Sequence, residues 1–194
     1  MKYLSILLLL VTATACTSIP LKTLYKLRNA SPLQAPAEHI RVAIRADKNL
    51  QIKQGNVQLE LGYQTADNQL DIHDIYFVEV QEFSQKHNQL PTALLNNLED
   101  NQQVIILKLT AADAAQFKQR QQLISQYEQT SKKGRGWLIA SVNGGCYKSA
   151  KQPTSLPTDI FIQFDPQDGY LLFVEDLDIL SHEHMANTHI GKCN

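Results

Sequence analysis

The chain has 194 residues, 18 of them basic and 19 acidic, for a formal net charge of −1, with 43% hydrophobic residues. That near neutrality leaves no electrostatic footprint for nucleic acid, and the apolar content argues against wholesale disorder. The length suits one domain with a sizeable core.

Lys2 supplies a minimal positive start, Leu4 to Val11 is almost wholly aliphatic, and the small residues Ala13-Thr14-Ala15 lead to Cys16. A charged start, a short apolar core and a small-residue cut site make the layout of a cleaved export signal. The run breaks at Thr12, well short of the roughly 20 apolar residues a membrane span needs. Ala13-Thr14-Ala15 also fits ordinary signal cleavage. The cysteine count separates the two readings. Of Cys16, Cys146 and Cys193, ordinary cleavage would leave an odd thiol in an oxidising compartment, whereas lipidation of Cys16 leaves a pair. The segment resembles the lipobox of bacterial lipoproteins, with Ala13 where a leucine is commonest. That resemblance implies cleavage before Cys16, lipid on its sulfur and new amino group, and anchorage to a membrane facing the periplasm. Thr17, where an aspartate would retain such a protein at the inner membrane, implies the outer one. As a whole the chain resembles proteobacterial envelope lipoproteins, which implies a location and no activity.

Three parts are therefore expected: a signal peptide over 1–15, a lipid-anchored segment and linker over 16–38, and a single α+β domain over 39–194. Ile19 to Arg28 carries Leu21, Leu24 and Tyr25 on one helical face. It reads as a helix turn packed on the domain or, beside a lipid, as a basic turn resting on headgroups. Pro32 and Pro36 among small residues mark the linker.

Ile40, Val42 and Ile44 alternate with Arg41 and Arg45, the period of a half-buried strand. Val57, Leu59 and Leu61 alternate with Gln58 and Glu60 in the same way. Thr65 to Asn68 reads as a turn and Leu70 to Val80 as a long strand. The apolar set of that strand changes face between Ile72 and Ile75, which predicts either a bulge near His73-Asp74 or burial on both faces. After the polar stretch from Ser84, Pro91 predicts a short helix holding Leu94, Leu95 and Leu98. Val104 to Leu109 is a continuous aliphatic run, as in a central strand.

Thr110 as N-cap and Asp113 three residues on open the one long helix, expected over Ala111 to Lys132. Phe117, Leu123, Ile124 and Tyr127 are its predicted apolar stripe. Lys132 and Lys133 suit its negative end, and Gly134 its left-handed C-terminal position. Trp137 to Val142 reads as a strand with a core tryptophan, closed by a turn at Asn143-Gly144-Gly145. Ile160 to Phe164 and Tyr170 to Val174 flank Asp165-Pro166-Gln167-Asp168-Gly169, a hairpin with Pro166 at the second position of a type I turn and Gly169 at positive φ. About seven strands and one long helix predict an α+β fold with a largely antiparallel sheet or sandwich.

Chemistry is sparse. A Cys146–Cys193 disulfide is the strongest inference, since the compartment favours oxidation; Cys146 as a nucleophile lacks an identifiable base. His182-Glu183-His184, with His189 and Asp178 nearby, is the one metal-like cluster. On an extended segment His182 and His184 share a face and could hold zinc or copper with His189 as third ligand. The carboxylates Asp71, Asp74 and Glu79, or Glu175, Asp176 and Asp178, pair by chance as readily as by design. Nucleophile-elbow, phosphate-loop and dinucleotide signatures are absent from the sequence. The leading expectation is a non-catalytic, lipid-anchored module binding another envelope component. The alternative is a metal-binding or enzymatic lipoprotein using His182, His184 and His189.

Overall fold

The computed structural model describes residues 32–80, 90–130, 134–149, 151, 153–180 and 189–193. Cys16, the expected export signal over 1–15, the Ile19–Arg28 segment, Lys132 and Lys133, and His182 and His184 lie outside them. In chain order the strands are β1 (Arg41–Asp47), β2 (Leu50–Gln51), β3 (Val57–Gln64), β4 (Asp71–Val80), β5 (Gln102–Leu109), β6 (Arg135–Val142), β7 (Gly144–Tyr147), β8 (Pro157–Gln163), β9 (Leu171–Asp178) and β10 (His189–Lys192). Helix α1 (Thr92–Leu95) precedes β5, and the long helix α2 (Ala111–Thr130) follows it.

Seven strands form an antiparallel sheet in the order β6-β3-β4-β5-β1-β8-β9. The short strands β10-β7-β2 form a second sheet, in which β10 runs parallel to β7. The fold is thus α+β, with a mostly antiparallel seven-stranded sheet and one long helix. The expected turn at Asn143-Gly144-Gly145 is instead the junction of two strands. β6 runs on into β7, and Gly145 lets β7 close on β2, since a Cβ there would sit 2.9 Å from the Gln51 carbonyl oxygen.

The front of the sheet carries the main core. Val42 and Ile44 of β1, Leu59 and Leu61 of β3, Tyr76 and Val78 of β4, Leu107 of β5 and Ile160 and Ile162 of β8 all face it. Helix α2 covers this side. Thr110 caps it as expected: the Thr110 hydroxyl accepts from the Asp113 N–H at 3.1 Å and donates to the Asp113 carboxylate at 2.9 Å. Phe117 packs against Tyr76 with ring centroids 5.2 Å apart, and Ile124 sits with Tyr63 and Ile72.

The predicted helix stripe needs two corrections. Leu123 points to solvent, 40% exposed, and its place is taken by Gln121, which is buried and donates to the carbonyls of Pro32 (2.6 Å) and Ala35 (2.8 Å). A buried amide is tolerated here because both bonds are made. Those bonds also hold down residues 32–38, expected to be linker. Ala35 and Ala37 are core residues, so the domain takes in chain before His39.

The back of the sheet is covered over half its width. Behind β5, β1 and β8, Ala43, Ile106 and Phe161 pack with Leu94 of α1 and with Tyr170. Arg45, expected on a solvent face, is buried there, 2.6 Å from the Asp159 carboxylate, with its guanidinium over the Phe161 ring and donating to the Asn96 carbonyl. A buried charge is affordable only with such complete pairing. Strands covered on both faces read as continuous aliphatic runs, which explains Val104 to Leu107.

Candidate functional site

Behind β6, β3 and β4 no described element covers the sheet. The registers β3–β4 and β3–β6 are continuous, so no bulge occurs at His73-Asp74. Nor is β4 buried on both faces. Ile72, Tyr76 and Val78 face the front, while Ile75 and Phe77 stand on the back, 49% and 48% exposed. Ile139 of β6 joins them at 43%. Isolated exposed apolar residues are ordinary, but a group on one sheet face is a recognition signal.

Cross-strand register arranges this face in rows. Arg135, Gln64 and Asp71 make one; Trp137, Gly62 and His73 the next; then Ile139, Glu60 and Ile75; then Ser141, Gln58 and Phe77. Trp137 is not the core residue the sequence suggested. Its neighbours in β6, Leu138 and Ala140, face the front, and period-2 alternation turns Trp137 to the back. There its indole covers Gly62. A Cβ on Gly62 would lie 1.8, 2.0 and 2.4 Å from indole Cε2, Cζ2 and Nε1. Three adjacent ring atoms at such similar distances mean that the ring presents its face to the glycine.

Glu60 organises the middle of the patch. Its Oε1 accepts from Trp137 Nε1 at 2.9 Å and lies 2.9 Å from His73 Nε2. An Nε2–H donor suits this carboxylate acceptor. The imidazole and indole centroids are 6.5 Å apart. The Asn143 amide donates to Gln58 at 2.7 Å, fixing the far end. The arrangement is an ordered, mixed apolar and polar surface. Glu60 orients two rings and is not paired with a nucleophile among these contacts.

Gly134 does not take the left-handed helix-end conformation expected of it; positive φ among the described glycines occurs at Gly55, Gly145 and Gly169. Its role is close approach. The Gly134 N–H donates to the Tyr63 hydroxyl at 2.7 Å, and a Cβ would be 2.6 Å from both the Gln64 carbonyl oxygen and Tyr63 Cζ. Tyr63 in turn donates to Glu128 at 3.0 Å, and burial pushes its phenol above the ordinary value.

Cys146 and Cys193 are joined in a disulfide, with Cα atoms 4.9 Å apart. The bond ties β10 to β7, and Cys193 N–H donates to the Tyr147 carbonyl at 3.0 Å. With its sulfur bonded, Cys146 is no nucleophile. Three of the carboxylates considered from sequence serve structure. Asp74 pairs with Arg120 at 2.6 Å, Glu79 with Lys108 at 3.3 Å, and Asp178 accepts the N–H groups of Leu156 and Leu180. Among the described residues no group of three or more His, Cys, Asp or Glu side chains is placed to hold a metal. His182 and His184 lie outside those residues, and His189 is described only as the backbone opening β10. No described helix is long and apolar enough to cross a membrane.

The patch on β6, β3 and β4 was only partly signalled by the sequence. Glu60 was placed on a solvent face by alternation, and a glycine inside a strand hints at close approach. That Trp137 would supply the approaching group depends on a register no local pattern reveals. No family model, curated protein or solved structure matches this chain.

Proposed function

We propose that this chain is a lipid-anchored envelope protein facing the periplasm, acting as a non-catalytic binding module through the bare face of β6, β3 and β4. The observation that carries the binding role is that face: Ile75, Phe77 and Ile139 stand exposed beside an ordered Trp137–Glu60–His73 group, with no described element over them. Paired strands present these side chains from a backbone already ordered, so binding costs little backbone entropy. The location rests on the sequence ending in Ala-Thr-Ala-Cys at Cys16, and the Cys146–Cys193 pairing suits an oxidising compartment. That pairing leaves Cys16 as the remaining cysteine, available for lipid.

Two measurements test the reading. Intact mass of the membrane-extracted protein should show an acylated chain beginning at Cys16, and Cys16→Ser should release the protein from the membrane fraction. A photocrosslinking residue at Phe77 should give a discrete protein adduct in living cells, whereas one at exposed Gln122 of α2 should not. An unacylated mature chain would overturn the anchor, and silence from Phe77 would overturn the binding face.

A further inference from the structure

We propose that the occupant of the bare face is a second copy of this chain, packed face to face about a two-fold axis parallel to β3. This rests on the binding face proposed above and names its partner.

A two-fold interface demands a patch complementary to itself. With the axis along the middle strand, each row is preserved and the outer strands exchange places, so β6 of one copy lies over β4 of the other. The rows fit that operation. Arg135 comes over the partner's Asp71, and Asp71 under the partner's Arg135, so one row supplies two opposite-charge pairs. Ile139 meets the partner's Ile75 in the next-but-one row, twice over, and these are two of the most exposed apolar residues described. Between them Trp137 meets the partner's His73, ring against ring. No other pairing of the outer strands in register brings Arg135 to a carboxylate and both isoleucines to isoleucines.

The face is also flat enough. Sheets pack about 10 Å apart with interdigitating side chains. A tryptophan standing upright at the centre would obstruct that approach, but the indole lies over Gly62, where no side chain competes. Glu60 would come close to its own symmetry mate. Its carboxylate is engaged by Trp137 Nε1 and His73 Nε2, which moderates the like-charge contact.

The test uses the full-length protein in density-matched detergent, by sedimentation equilibrium, with circular dichroism and urea denaturation as folding controls. The wild type should be dimeric. Ile139→Glu and Arg135→Asp should each weaken association by roughly tenfold or more, and Arg135→Asp with Asp71→Arg should restore it. A monomeric wild type overturns the proposal, as does a folded double variant as weak as Arg135→Asp alone. In cells, a photocrosslinker at Ile75 should give an adduct of twice the chain mass. An adduct of another mass overturns the second copy as occupant while leaving the binding face in place. Absence of any adduct overturns both.

Discussion

The indole of Trp137 lies face-on over Gly62, two strands joined by a ring that fills the space a side chain would need. Trp137 is the chain's only tryptophan, so this contact has a private spectroscopic signal.

Gly62→Ala should lift that ring from the sheet. The added methyl would stand 1.8 Å from Cε2, and overpacking of this kind costs about 1–3 kcal/mol. Tryptophan emission should shift to the red in the folded state. In the Gly62→Ala, Trp137→Ala double variant the alanine at 62 should cost much less, and denaturant unfolding followed by circular dichroism measures the difference. Additive losses would show that the ring and the glycine are independent.

The helix face makes a sharp contrast. Phe117 and Ile124 are both wholly buried. Phe117→Ala should destabilise by about 3–5 kcal/mol and Ile124→Ala by about 2–5. Leu123→Ala, an equally apolar change one residue away, should cost less than about 0.5 kcal/mol. Urea denaturation of the three variants decides it.

The disulfide closes a loop with a sequence separation of 47. Loop-closure entropy puts its contribution at about 4 kcal/mol. Cys193→Ser should lower the melting temperature and expose the C-terminal segment to proteolysis. Non-reduced peptide mapping should recover the two cysteine peptides joined.

Asp159 balances the buried Arg45 and also accepts the Asp176 N–H at 2.8 Å. Asp159→Ala leaves the guanidinium buried without its counter-charge, for a loss of about 3–5 kcal/mol. Asp67, exposed in the Thr65–Leu70 turn, should tolerate the same change far better. Equal losses would contradict the burial difference.

Alkaline pH should unfold the protein in step with its tyrosines. Burial pushes the Tyr170 phenol up to about 12, and Tyr76 and Tyr63 are raised by burial as well. A raised pKa means the folded state favours the protonated form. The associated stability is therefore whole below the ordinary tyrosine value of about 10 and is lost as pH climbs from there through the folded value. Tyr170→Phe should flatten that loss between about pH 10 and 12. Urea midpoints measured alongside tyrosinate absorbance check this. At the acid end the Thr65 hydroxyl, foremost, holds Asp67 below its ordinary value, so that contribution is present above about pH 4 and declines below it.

Much of the fold could be read locally because local signals set it. Thr110 and Asp113 start a helix wherever they precede a helical run, since they satisfy its own free N–H groups. Pro166 and Gly169 make a hairpin turn from their backbone preferences alone: the Asp168 N–H closes on the Asp165 carbonyl at 3.1 Å, and Gly169 takes φ +69°. The pairing of Cys146 with Cys193 follows from counting once Cys16 is set aside.

What tertiary structure alone decided is which side of each element is covered. Alternation in β1 and β4 says that side chains point two ways, but not what lies on either side. Arg45 is buried because α1 and Phe161 close over the back of β1, and Ile75 is exposed because nothing described closes over the back of β4. Gln121 is buried because residues 32–35 return to the helix and supply two carbonyls. Trp137 is on the surface because its register against β3 puts it opposite Gly62. Each outcome depends on segments distant in sequence. Periodicity fixes the direction of a side chain within its own element, while burial is a property of whatever the rest of the chain brings to meet it.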